Sequence, residues 1–263
     1  MARFGAGIIA GDGVDRVNPH RHPLFLWVVA LLAMAAFAWL GFWQLGRADS
    51  KRGMWAKSTA ALSSRAPQPL SVIADTTRAG DYDWVDVEGR FADTPAIWLD
   101  NQQRNGAVGV RAYRVFVMRD GLPLLVDLGW TPLPADRTLP KAQGETEHAM
   151  LAGLLMPPPG KGLDMGEPVA QPDGTLLATA IDLPMLRATL KLPALTPRVL
   201  RPQHAATLGF ARVFDILPHT LPPERHLGYA VQWFALAATV LITALLLTWR
   251  TRRAAQRNDR PSR

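Results

Sequence analysis

A chain of 263 residues is long enough for one sizeable domain together with membrane segments. Its formal net charge of +7 sits at the two ends: residues 1–57 carry 7 Lys/Arg against 3 acids and residues 225–263 carry 7 against 1, while residues 58–224 carry 15 against 18. The middle therefore offers no nucleic-acid surface, and the lack of cysteine excludes disulfides, thiol exchange, a Cys-based copper site and covalent attachment of a c-type haem.

Residues 1–23 are Gly-rich and mixed in charge, which predicts a cytoplasmic tail. His20 and His22 lie beside Arg21, but two imidazoles next to a membrane surface are too few to define a metal site. Residues 24–43 form the first charge-free apolar run, 20 residues long. A signal peptide has a shorter apolar core and a small-residue cleavage site. This run ends instead in Trp39, Phe42, Trp43 and Gln44. It predicts a retained transmembrane helix, followed by a helix exit and linker over 44–57. On a helix Trp39, Trp43 and Arg47 share one face, at i, i+4 and i+8.

Residues 58–224 predict a β-rich domain with some helix. Residues 83–91 set Trp84, Asp86, Glu88 and Arg90 against Val85, Val87 and Gly89, the alternation of a half-buried strand. Its carboxylates read as a solvated face and not as an acid–base pair. Further strands are expected at 96–100, 110–118, 122–130 and 149–156, with a hairpin at Asp120-Gly121 and a turn at Asp100-Asn101. Pro157, Pro158, Pro159 and Gly160 stop the last of these. Residues 182–190 predict a helix capped by Asp182, with Pro184 in its first turn. Closing strands are expected at 198–201 and 210–217.

The second apolar run, 228–249, holds 22 residues without an ionisable group other than Tyr229. At ~1.5 Å per residue it is long enough for a ~30 Å hydrocarbon core. Helical spacing places His226, Tyr229, Ala230 and Trp233 on one face. That stripe suits two uses: an interfacial aromatic belt with a wetted histidine, or an imidazole ligand above flat aromatic surface. Residues 250–263 form a basic tail with Arg250, Arg252, Arg253, Arg257, Arg260 and Arg263 against Asp259. By the positive-inside rule both termini are cytoplasmic and 58–224 is extracytoplasmic. The fold class expected is a membrane protein: a two-helix transmembrane hairpin with an inserted β-rich α+β extracytoplasmic domain.

No G-x-S-x-G, H-E-x-x-H or P-loop pattern occurs, and His148, His204, His219 and His226 are too widely spaced for a sequence-defined metal motif. An enzyme is not expected.

Two helix-end patterns carry a resemblance. His226-Leu227-Gly228-Tyr229-Ala230-Val231-Gln232-Trp233-Phe234 resembles the H-x-G-Y-A-x-Q-W-F entry to the second transmembrane helix of the surfeit-one family. Gly41-Phe42-Trp43-Gln44-Leu45-Gly46-Arg47, with Trp55 and Lys57 beyond it, is similar to that family's G-x-W-Q-x-x-R segment. Between them Gly89-Arg90-Phe91, Leu99-Asp100-Asn101, Gly106 and Gly109 before Tyr113, and Gly129-Trp130-Thr131-Pro132 resemble its internal motifs; Leu128 stands where the family has Arg. Arg104 or Arg111 could then take over whatever that Arg holds.

The resemblance implies an assembly factor for cytochrome c oxidase in the cytoplasmic (inner) membrane. It also implies haem a as the bound group. From the residues, His226 is the expected iron ligand, with Tyr229, Trp233 and Trp43 to cover the porphyrin faces and Arg47 or Arg225 to pair with propionates. Implied partners are oxidase subunits and haem a synthase. An alternative is a scaffold that docks an oxidase subunit and binds no haem.

Overall fold

The structure is a computed structural model, and it describes residues 23–140, 148–160, 166–203, 210 and 222–258. It divides into two compact units: Met1–Ala48 with Glu224–Arg263, and Asp49–Pro223.

The first unit is a helix pair. Helix α1 runs Pro23–Ser64, and the last helix of the chain, α4, runs Pro223–Asn258. Both are long and apolar enough to cross a membrane. Their apolar side chains stay exposed: Leu24, Phe25, Leu32, Val231, Ile242 and Leu247 are all more than half exposed. A helix with that surface is not the core of a water-soluble fold, and hydrocarbon is its natural solvent. The two helices run antiparallel. Trp27 meets Thr248 (Nε1 to Oγ1, 3.1 Å), Phe37 stacks on Trp233 at 5.8 Å, and Phe42 meets Phe234 edge-on at 5.2 Å. Gly41 makes the close approach possible, since a Cβ there would lie 2.7 Å from the Phe234 ring.

Helix α1 does not stop at the linker expected over 44–57. Ala48, Lys51, Met54, Ala56, Lys57, Ala60 and Ala61 are good helix formers, no proline intervenes before Pro67, and the helix continues to Ser64.

In the second unit the end of α1 is followed by a short helix α2 (Ser71–Ala74) and a single 3₁₀ turn at Thr76–Arg78. The strands are β1 (Asp83–Phe91), β2 (Ile97–Arg104), β3 (Ala107–Met118), β4 (Pro123–Pro132), β5 (His148–Met156), β6 (Val169–Ala170), β7 (Leu176–Ala178) and β8 (Val199–Pro202). Helix α3 (Leu183–Thr189) lies between β7 and β8, and Asp182 accepts a hydrogen bond from Met185 N at its start, as expected. The hairpin at Asp120-Gly121 also forms, with Leu122 N donating to Asp120 Oδ1.

The sheet runs β1-β5-β8-β4-β3, and β3 then pairs back to β1. Five strands thus close into a barrel, with β2, β7 and β6 extending from β3 outside the ring. Strand β3 serves both neighbours because it is long: residues up to Tyr113 pair with β2, and Phe116–Met118 pair with β1. One face of the alternation fills the barrel, with Val85, Val87, Phe116, Leu124, Val126 and Leu155 at its centre. The other packs under α3, with Ile97, Tyr113, Val115, Leu125, Leu186 and Val199.

Three expectations change. Asp100-Asn101 is not a turn between strands: the β2–β3 register shifts between Leu99 and Gln102, and Asn101 takes φ 55° in a bulge inside β2. The β1 carboxylates are not all solvated, because Asp83 is only 6% exposed while Asp86 and Glu88 face out. Of the strand expected at 210–217 only Phe210 is among the described residues; it is in a bend, its ring 5.7 Å from Trp98. Residues 1–22, His204 and His219 also lie outside the described residues.

Candidate functional site

The first turns of α4 carry the residues with ligand chemistry. His226 is 7% exposed, and its Nδ1 lies 2.7 Å from Gln44 Oε1 on α1. A carbonyl oxygen only accepts, so Nδ1 carries the proton, and in the neutral ring Nε2 keeps its lone pair. Nε2 is itself buried. One turn on, Ala230 is 1% exposed, and Trp233 stacks on Phe37.

The face of α1 that meets α4 is Phe37, Gly41 and Gln44, at spacings of four and three. That is the seam pattern of paired helices. Trp39, Trp43 and Arg47 do share a face, but it is the exposed one; Trp43 is half exposed and Arg47 is exposed. Tyr229 is 40% exposed beside the seam. Of the five residues singled out in the sequence, His226 and Trp233 therefore reach the seam, and Tyr229, Trp43 and Arg47 do not.

Gln44, which its chemistry does not single out in the sequence, stands three residues after Gly41, the glycine that lets the helices touch, and that spacing is the signal that marks it.

The barrel holds two buried charge clusters. Asp127, 1% exposed, accepts from Arg111 Nη1 and Arg201 Nε, both at 2.8 Å, and from Gly129 N at 2.9 Å. Burial alone would raise its pKa; Arg201, Arg111 and the Gly129 N–H together outweigh it and hold the carboxyl below the usual range. Asp83 bridges Arg78 and the fully buried Arg198, each at 2.6 Å, and Arg198 donates a further hydrogen bond to Val72 O. Each cluster sets one buried carboxylate between two guanidinium groups that tie separate elements together, which is a structural use of charge.

Gly89-Arg90-Phe91 pairs with β3 at Phe116–Met118, and the other family-like motifs meet at the opposite end of β3, with β2 and β4. Trp130 Nε1 donates to Gln102 O at 2.8 Å, Arg104 stands over the Trp130 ring at 5.6 Å, and Arg137 grips Asp100 at 2.7 Å. A Cβ on Gly109 would strike Thr131 O and the Trp130 ring. These motifs build a corner of the fold. Leu128 is fully buried in the barrel core, at the β4 bulge that sets Ala112 against Gly129 and Tyr113 against Asp127. Arg111 is committed to Asp127 and Arg104 to Trp130.

Among the described residues no group of three or more His, Asp or Glu side chains is placed to hold a metal ion. The site is then one imidazole with its tautomer set by a neighbouring helix, at the end of an apolar helix pair. No curated protein matches the chain. A family model described as "SURF1 family" matches residues 31–238, from within α1 through the whole barrel and into α4. With both helix-end motifs, the internal motifs and the intervening β domain inside that match, the chain belongs to the SURF1 family, which is associated with cytochrome c oxidase assembly.

Proposed function

We propose that the protein is a non-enzymatic membrane assembly factor that binds haem a at the His226–Gln44 seam and aids its insertion into the oxidase's catalytic subunit. The supporting observation is the 2.7 Å contact between His226 Nδ1 and Gln44 Oε1. A histidine that ligates a metal through one nitrogen commonly donates its other N–H to a carbonyl, which fixes the ring and raises its basicity. The donor set fits haem iron through Nε2. Trp233 supplies aromatic surface on the same face, and the exposed Arg47 and Arg225 offer guanidinium groups to carboxylates. Tyr229 and Trp43 flank the seam. When bound, haem a supplies an iron porphyrin for delivery. The chain's own part is to hold the iron and screen it from water. Oxidase subunits are the expected partners, with haem a synthase a candidate donor.

The test is purification from cells that make haem a, with pigment extraction. Wild type is expected to carry haem a and show a Soret band. His226→Ala should insert normally and lose the pigment, and Gln44→Leu should bind about 10-fold more weakly, the scale of losing the hydrogen bond that orients a ligating imidazole. Full haem retention with an unchanged spectrum in His226→Ala would remove His226 from the site and leave a docking scaffold.

The same reading places both termini in the cytoplasm and the barrel outside the inner membrane, because the arginines after Trp249 form the dense basic flank. Reporter fusions at Arg263 and near Gly160 should report opposite compartments. A shared compartment would end the two-span topology.

A further inference from the structure

Away from His226, toward the start of α1 and the end of α4, the helix pair leaves a groove of about 900 Å³. Trp27, Ala30 and Ala33 line one wall, and Thr243, Ala244 and Arg252 are on the other. The small side chains make the hollow. Its walls are hydrocarbon in character despite the threonines, because each hydroxyl is satisfied locally. Thr243 Oγ1 donates to Thr239 O at 2.8 Å, Thr248 Oγ1 donates to Ala244 O at 2.8 Å, and Thr248 also receives the Trp27 N–H. A groove of this kind between apolar helices takes an alkyl chain without stranding a polar group.

Its mouth is different. Arg252 lines it and is exposed, with Arg250 and Arg257 close in sequence and Arg253 stacked 3.7 Å above the Trp249 ring. Among the described residues of this unit the only acid is Glu224, at the opposite end of α4. No carboxylate among the described residues of this unit is placed to neutralise Arg252, so an anionic headgroup at that depth has a guanidinium to meet. We propose that this groove is a binding site for one anionic phospholipid, its acyl chain lying along Ala30, Ala33 and Ala244 and its phosphate meeting Arg252. Zwitterionic lipid fits the apolar walls equally but brings no net charge to the mouth. A partner helix would need an acid at this depth to do the same. Basic pockets between transmembrane helices are established anionic-headgroup sites. The site lies apart from the His226 seam and does not depend on haem binding there.

The test uses the full chain in detergent, titrated with phosphatidylglycerol or phosphatidylcholine of the same acyl chains, with bound lipid counted by native mass spectrometry. Wild type should hold one phosphatidylglycerol at least about fivefold more tightly than phosphatidylcholine, the factor expected from a single arginine near the headgroups. Arg252→Gln should bring phosphatidylglycerol down to the phosphatidylcholine level, and Arg257→Gln, outside the groove, should not. Ala244→Phe should weaken both lipids by filling the hollow. Equal binding of the two lipids by wild type would overturn the proposal. So would equal losses in Arg252→Gln and Arg257→Gln, which would mean diffuse surface charge, or a photo-crosslinker at Ala33 that captures protein in place of lipid.

Discussion

Replacing Asp127 with alanine is expected to destabilise the barrel by about 3–5 kcal/mol, the scale of removing one partner from a buried ion pair. The carboxylate is 1% exposed and is shared by Arg201 and Arg111, which are themselves largely buried. Removing it leaves two guanidinium groups deep in the β3–β4–β8 sheet with their common counter-charge gone. Urea unfolding of the full chain in detergent, followed by tryptophan fluorescence, measures the loss. Asp127→Leu combined with Arg111→Met and Arg201→Met should recover most of it, because a whole buried charge cluster exchanges for apolar side chains at little net cost. If the single variant unfolds like wild type, the cluster is not what holds β3, β4 and β8 together.

The same carboxyl gives the domain a pH dependence of definite sign. Its folded pKa lies below the ordinary aspartate value, so the unfolded chain takes up the proton first as acid is added. The stabilisation is fully present above the ordinary carboxylate range and is lost as pH falls through the lower folded value. Wild type should lose stability on acidification across that window, and the triple apolar variant should lose less. A phenol nearby moves the other way: burial pushes Tyr113 up, and the negative charge of Asp127 adds to it.

Periodicity located the strands well wherever one face met water. In β1 the outward Asp86, Glu88 and Arg90 alternate with inward Val85 and Val87, and the observed limits of 83–91 match the expected ones. It said little where both faces are covered. Strand β4 is buried over seven consecutive residues, and Asp127 among them gives no sequence sign that its partners stand at 111 and 201. Those contacts cross a bulge and a parallel pairing of β4 with β8, which local patterns do not encode. Strands β6 and β7 have two and three residues, too few for any period.

The helix pair shows a different limit. Spacing shows which residues share a face but not which face meets the neighbour, and in α1 two faces competed. The aromatic stripe Trp39–Trp43–Arg47 drew attention by its chemistry, yet large side chains hold helices apart. The stripe that packs contains Gly41, and it carries Gln44 to His226. Steric closeness decides which stripe packs, and the chemistry of a side chain does not.

Closure of the barrel rests on a position with no side chain. Gly89 on β1 is paired with Met118 on β3, and a Cβ there would lie 2.2 Å from Val117 O and 2.9 Å from Met118 Cα. Both are backbone atoms, so no rotamer change relieves the clash, and the strands must part. Strand β1 would stay attached through its long pairing with β5, while the seam to β3 opened and Phe91 and Phe116, in edge contact at 5.2 Å, met water. Gly89→Val is therefore expected to cost at least about 3 kcal/mol, at or above the upper end for overpacking in a rigid site. Faster amide exchange along residues 116–118 and binding of a hydrophobic dye should accompany the loss. Gly80→Ala is the matched control: nothing lies within 4 Å of its Cβ, and its effect should stay within about 0.5 kcal/mol. Equal stabilities for the two variants, with residues 116–118 still protected, would mean that β1 and β3 do not close the ring in solution.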